Sequence, residues 1–389
     1  MQRVPDYSLA NYGAMITDRV RMPAYADALR RAIAPGAVVV DIGAGTGICS
    51  FLAVQAGARR VYAIEPNDAI ETAREIAEAN GLADHIVFLK TFSIEVDLPE
   101  LADVIVSDLR GSLPLNTTNL ASIIDARERF LAPGGVLIPQ QDVLWVGLIE
   151  SAEVYESIVG PPAERCFGLD MSAAHRNASS RTVAKKFEPS DLLGEPAPWA
   201  SLEYSSLESS DATGAVTLAP SRQGTLHGLV AWFATDLFDG IGYSTGPGNA
   251  TVYRSCFFPL PEPVPVSPKD LVSVRLEARC VGGHYVWRWK THVAAIKGST
   301  RVAFEQSDLL PPGISLDRLR RRSENHVVHL ADEGRVAARA LELMSSSDQP
   351  LGTIAGQLLN EFPDAFGRRE DALATTADLG ERYGIVDEP

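Results

Sequence analysis

The segment Asp41-Ile42-Gly43-Ala44-Gly45-Thr46-Gly47 constrains this chain more than any other. It follows the apolar run Val38-Val39-Val40 and leads into Ile48 to Gln55, where the pattern predicts a helix. A buried strand, a glycine turn and a helix in that order form the ligand-approaching corner of a βαβ unit. Glycine lets the backbone turn tightly and come close to a ligand, and amides at the helix start point at it as donors. Glu65 and Pro66 close the next apolar run, Val61 to Ile64. Glu65 stands 20 residues after Gly45, where a carboxylate can accept both hydroxyls of a ribose.

The alternation continues downstream. Ala69 to Asn80 reads as a helix stopped by Gly81, Ile86 to Leu89 and Val104 to Val106 as strands, Leu120 to Leu131 as a helix and Val136 to Ile138 as a strand. Strands alternating with helices imply a parallel sheet covered on both faces. The expected fold class is therefore α/β, a Rossmann-like doubly wound sheet over residues 34–139. Residues 1–33 are expected to supply helices that cover the ligand, one of them over Ala24 to Ile33. From 140 to 310 the period becomes two, as in Leu276 to Cys280 and Tyr285 to Trp289, which predicts an antiparallel β-barrel. An Ala-, Ser- and Pro-rich insert at about 160–200 interrupts it. Residues 326–389 read as a small helical domain, with Val336, Ala340 and Leu343 on one stripe and Ile354, Leu358 and Phe362 on another.

Composition sets limits. The 389 residues are 46% hydrophobic and 22% charged, which fits a folded chain with a sizeable core. Thirty-five Lys and Arg against 50 Asp and Glu leave a formal net charge of −15, a poor balance for binding nucleic acid. Cys49, Cys166, Cys256 and Cys280 form no CxxC pair, and the histidines no HExxH; no metal site is expected. His326 and His329 alone do not make one. No apolar run reaches membrane-spanning length, and Met1 to Asp6 lack a signal-peptide core, so a cytoplasmic protein is expected.

Which nucleotide the loop serves is narrowed by its neighbours. The glycines run GxGxG, not GxGxxG, and no phosphate-binding Arg or Lys accompanies them. Asp108 follows the strand ending at Ser107, Phe92-Ser93-Ile94-Glu95 follows the third strand, and Leu131-Ala132-Pro133-Gly134-Gly135-Val136-Leu137 precedes the last. With these features the chain resembles class I S-adenosylmethionine-dependent methyltransferases. The resemblance implies S-adenosyl-L-methionine as cofactor and S-adenosyl-L-homocysteine as product. It places the cofactor against Arg21, Asp41, Gly43, Ala44, Gly45, Thr46, Gly47, Glu65, Pro66, Ser93, Ile94 and Asp108.

Residues 6–300 resemble the protein arginine methyltransferase family in particular. Asp6 to Tyr12 sits where that family has a YFxxY helix; Tyr12 matches, and Ser8 and Leu9 replace the Tyr-Phe pair. Asp18-Arg19-Val20-Arg21-Met22-Pro23-Ala24-Tyr25 resembles its DxxRxxxY stretch, which implies that Arg21 holds the cofactor's carboxylate. Cys166 to Ser172 resembles the start of its dimerisation arm, and Leu229 to Phe233 through Tyr243-Ser244-Thr245-Gly246-Pro247 its barrel. A homodimer is implied.

The departures concern the acceptor. The family's double-glutamate loop grips a guanidinium with two carboxylates. Here Asp108 stands at the first, Thr117 near the second, and Arg110 brings a positive charge; the Thr-His-Trp loop is replaced by about Thr251-Val252-Tyr253. A guanidinium facing one carboxylate and an arginine is poorly paired. The expected function is thus methyl transfer to N or O of a peptide or small natural product, not to protein arginine. Asp108 is the candidate acid/base or substrate-holding residue; pairing with Arg110 is its bland alternative. Tyr12 is a candidate to cover the cofactor or touch substrate. Tyr285, Trp287 and Trp289 read as barrel core rather than a cage. Val328-His329-Leu330-Ala331-Asp332-Glu333-Gly334 and the following helices loosely resemble a PqqD-type peptide-recognition domain with a strand–acidic turn–helix order. The alternative function is a cofactor-binding pseudo-enzyme that acts as a protein-interaction partner.

Overall fold

The computed structural model describes residues 9–117, 119–160, 166–281, 283–295, 298, 300–309, 327–346 and 348–384. Asp6, Tyr7, Ser8 and His326, which the sequence singles out, lie outside them.

Five parallel strands form the first sheet: β1 (Val38–Ile42), β2 (Arg60–Ile64), β3 (Ile86–Leu89), β4 (Ala102–Ser107) and β5 (Leu131–Ile138). Their order is β3-β2-β1-β4-β5. The order in which strands are added reverses between β1 and β4. In open α/β sheets ligands bind beyond the strands' carboxyl ends at such a point. The glycine loop leaves β1 and Asp108 leaves β4, so this topology alone brings both to one mouth.

Helices α1 (Leu9–Ile16), α2 (Arg21–Ala32), α3 (Ile48–Gln55), α4 (Ala69–Ala79) and α5 (Asn119–Arg129) accompany that sheet. Helix α2 starts three residues before its expected Ala24. The Asp18 carboxylate accepts the amides of Val20 and Arg21, both at 2.9 Å, and so caps the first turn, where Pro23 is tolerated. Its buried face is Met22, Tyr25, Ala28 and Leu29, the 3–4 spacing of a core-facing helix. Strand β5 also starts early, at Leu131. A register irregularity between Ala102 and Val104 absorbs Pro133-Gly134-Gly135 inside the ladder.

The second half is antiparallel. It adds β6 (Gln141–Ile149), α6 (Ala152–Val159), α7 (Ser172–Ser179), β7 (Val183–Lys185), β8 (Ala197–Glu203), β9 (Ala212–Leu218), β10 (Gly224–Phe238) and β11 (Ile241–Ser244). Strands β12 (Ser255–Val266), β13 (Asp270–Val281), β14 (His284–Ala295) and β15 (Thr300–Ser307) complete it. Its strands form two ladders, β7-β12-β10-β6-β8 with β11 on β10, and β15-β14-β13-β9. Asp239 and Gly240, at φ 51° and 79°, make the two-residue turn between β10 and β11, the left-handed pair such hairpins need. Phe258 packs edge-on between Trp287 and Trp289, 5.2 and 5.3 Å between ring centroids, and ties the ladders together. These tryptophans are core, as their alternation implies; His284 and His292 point to solvent.

A separate compact unit, within 313–389, holds α8 (Asp332–Ser346), α9 (Leu351–Glu361) and α10 (Arg369–Tyr383). Val336, Ala340, Leu343, Ile354, Ala355 and Leu358 form its core. The strand expected around Val328 does not form. Residues 327–331 are irregular, with Val327, Val328 and Leu330 exposed and no partner strand among the described residues. The strand–acidic turn–helix order that resembled a PqqD-type domain is therefore replaced by three plain helices. No helix among the described residues is long and apolar enough to cross a membrane.

Candidate active site

The glycine loop is built for close approach. Gly43, Gly45 and Gly47 all take positive φ, at 74°, 53° and 87°, which other residues adopt only under strain. A Cβ on Gly45 would lie 2.6 Å from the Tyr12 ring, so α1 lays Tyr12 directly over the loop. Glu65 reaches across from β2. One carboxylate oxygen accepts the Gly45 amide at 3.0 Å, the other the Asn67 amide at 2.9 Å. Each oxygen keeps a lone-pair site for a ribose hydroxyl. Burial raises the Glu65 pKa and the two amides oppose the rise. The donor set and the glycine cradle fit a nucleoside.

Asp41 lies at the end of β1, almost wholly buried, and accepts the Ser50 hydroxyl at 2.7 Å. Burial pushes its pKa up to about 6, helped by the nearby charges of Glu65 and Asp108 and opposed by Ser50. The folded state thus holds a proton that the unfolded chain releases near pH 3.9. Stability from this residue is full below that pH and is lost as pH rises through 6. Asparagine does not titrate, so the stability difference between Asp41→Asn and wild type is expected to shift by about 2 kcal/mol in the variant's favour from pH 4 to pH 7, measured by urea unfolding. A constant gap would contradict this reading of Asp41.

Arg21 and Asp108 meet at the other side of the mouth. Arg21 donates from Nε to Asp108 in a short, buried ion pair, and from one terminal nitrogen to the Met15 carbonyl at 2.8 Å. Asp108 also accepts Arg110 Nε at 3.0 Å and the Tyr253 hydroxyl at 2.6 Å. Burial would raise the Asp108 pKa, yet Arg21, Arg110 and Tyr253 together hold it down at about 2. A carboxylate held so firmly ionised is a weak proton acceptor. With three donors on its two oxygens, Asp108 is suited to holding or orienting a neighbour. Burial and the Asp108 charge keep the Tyr253 phenol protonated.

The sequence-marked residues are partly assembled. Tyr12, Gly43 to Gly47 and Glu65 gather at the loop, and Arg21 joins Asp108. Ser93 and Ile94 stand in a 3-10 turn after β3, two strands from β1; Ser93 is buried and Ile94 is 44% exposed. Thr117, near the family's second glutamate, is exposed. Tyr253 was marked only as part of a replaced loop, and Asp18 only within a motif. Asp18 ties that loop down by accepting the Val252 amide at 2.6 Å. No local pattern announces that pairing across 234 residues. Beside Tyr253 a polar cavity of about 210 Å³ is lined by Lys186, Glu188, Asn249 and Ser255 among others.

Two family descriptions match in succession: ribosomal protein L11 methyltransferase over residues 26–139, and the arginine methyltransferase oligomerization subdomain over 141–280. A probable protein arginine N-methyltransferase 1.2 of Arabidopsis thaliana is 32% identical over 247 residues, covering 61% of this chain and 67% of the relative. A probable histone-arginine methyltransferase CARM1 of Oryza sativa subsp. indica is 32% identical over 257 residues, with 61% of this chain and 48% of the relative covered. The chain thus spans about half to two thirds of these relatives. Among solved structures, protein arginine methyltransferase 10 of Arabidopsis thaliana superposes with a TM-score of 0.69 at 22% identity, over 77% of this chain and 97% of that one. The Trypanosoma brucei PRMT1 enzyme–prozyme complex with AdoHcy gives 0.70 at 22% identity, over 77% and 98%. These structures share the fold. The family matches end at residue 280, before α8 to α10.

Proposed function

The chain belongs to the protein arginine methyltransferase family, and from that premise we propose that it methylates a nitrogen or oxygen of a peptide or small natural product other than an arginine side chain. S-adenosylmethionine supplies an electrophilic methyl group on a sulfonium. The residues of this chain orient it: Glu65 at the ribose hydroxyls, Arg21 at the carboxylate, Tyr12 over the glycine loop. The acceptor's X–H gives up its proton to water as the X–C bond forms and the S–C bond breaks, leaving S-adenosylhomocysteine. Orientation supplies most of the rate. Tyr253, whose hydroxyl already donates to Asp108, offers the acceptor an oxygen lone pair beside the polar cavity.

One observation carries the acceptor reading. The carboxylate that would grip a guanidinium is already held by two arginines and a tyrosine, and no second carboxylate stands at Thr117. The names of the relatives favour the other reading, protein arginine. The test is to incubate the protein with labelled S-adenosylmethionine, an arginine–glycine-rich peptide and a cell extract, then hydrolyse the products and separate the amino acids. Label outside methylarginine supports the proposal. Label in methylarginine overturns it. S-adenosylmethionine binding with no label anywhere favours the pseudo-enzyme role.

We further propose a homodimer. Phe167 and Leu169, 102% and 62% exposed, project from the arm. A separate groove of about 380 Å³, lined by Ile16, Met22, Ala26, Ile48 and Leu52, offers an apolar seat on a second copy. Light scattering is expected to give twice the chain mass for wild type and the single mass for Phe167→Asp. A wild-type monomer would refute it.

A further inference from the structure

Arg110 is the most completely bonded cation among the described residues. Its side chain is 1% exposed. Nε donates to Asp108 at 3.0 Å. One terminal nitrogen donates to Asp142 at 2.9 Å and Thr235 at 3.0 Å, the other to the hydroxyls of Tyr25 at 2.6 Å and Tyr243 at 2.9 Å. All five guanidinium donors are thereby used. The group also lies over the Phe233 ring, 5.0 Å from its centroid.

Asp108 is consequently clamped between two guanidinium groups. One oxygen faces Arg21; the other faces Arg110 and Tyr253. We propose that Arg110 is a positioning residue for cofactor binding: it satisfies Asp108 from behind, so that Arg21 in front can be shared with the carboxylate of an incoming ligand. This rests on the reading that Arg21 meets that carboxylate. The charges explain why it matters. Arg21 and Arg110 balance Asp108 and Asp142, and all four side chains are buried. Without Arg110, Asp108 has Arg21 as its one cation and draws it away from the ligand. The incoming carboxylate then meets two anions against a single cation.

The test compares two ligands by calorimetry. S-adenosylhomocysteine carries the amino-acid arm; 5′-methylthioadenosine shares the adenosine and thioether but lacks it. Arg110→Met is expected to weaken S-adenosylhomocysteine by about tenfold or more and methylthioadenosine by less than about twofold. Arg110→Met/Asp142→Asn removes the buried charge left behind, so it guards against loss of the fold; it is expected to show the same selective loss at smaller size. Equal weakening of both ligands in a variant that melts like wild type, or no weakening of either, overturns the proposal. Arg21→Met separates the two readings. If it fails to discriminate the ligands, the assignment of Arg21 to the carboxylate is wrong. If it discriminates and the Arg110 variants do not, only the role of Arg110 falls.

Discussion

Glu65→Ala is expected to weaken S-adenosylhomocysteine binding by about 1–3 kcal/mol or more, roughly a fivefold to 150-fold rise in Kd measured by calorimetry. Two losses combine. The ribose hydroxyls lose their acceptor, and the Gly45 and Asn67 amides, bonded to Glu65 at 3.0 and 2.9 Å, lose theirs. The second loss loosens the glycine loop itself, since Gly45 is tied to β2 through this carboxylate. Glu65→Gln keeps an acceptor for one amide and should fall between alanine and wild type. Unchanged affinity in the alanine variant would remove the cofactor from this end of β2.

Asp142→Ala is expected to cost about 3–5 kcal/mol of stability, seen as a lowered thermal midpoint, because it leaves a buried cation short of its counter-charge. Asp142 is fully buried and holds Arg110 at 2.9 Å and the Tyr204 hydroxyl at 2.6 Å. Removing it strands one guanidinium donor and one phenol in a closed interior. Asp142→Asn retains an oxygen for one of them and should cost less. These contacts link β6, β8's neighbour Tyr204 and the loop after β4, so the loss falls on the join between the parallel sheet and the antiparallel half. An alanine variant as stable as wild type would show that Arg110 is balanced by Asp108 alone.

Much of the first sheet was legible because β1, β2 and β4 are short apolar runs closed by Gly43, Glu65 and Asp108, and because periodic helices separate most of the strands. Ile48–Gln55 and Ile86–Leu89 form with the expected bounds. Helix α2 was misplaced because its start depends on the Asp18 side chain, six residues before the periodic stretch that begins at Ala24. The antiparallel half was readable as alternation in β13 and β14, but not as two ladders, since which strand pairs with which is a long-range matter. The glycine loop and Glu65 could be found from spacing alone. The clamp on Asp108 could not: Arg21, Arg110 and Tyr253 come from 87 residues before it, 2 after it and 145 after it. Arg110 was visible only as an unexpected charge. Its partners Asp142, Thr235 and Tyr243 carry no local signature, and only the folded chain shows that a residue that looked disruptive is fully paired.

The most direct measurement is a crystal structure of the protein with S-adenosylhomocysteine. The expected arrangement has both ribose hydroxyls on the Glu65 carboxylate, the thioether beside Asp108 and the ligand's carboxylate on Arg21, with Arg110 still on Asp108. A ligand bound elsewhere, or one at the glycine loop that leaves Glu65 and Arg21 untouched, would contradict it.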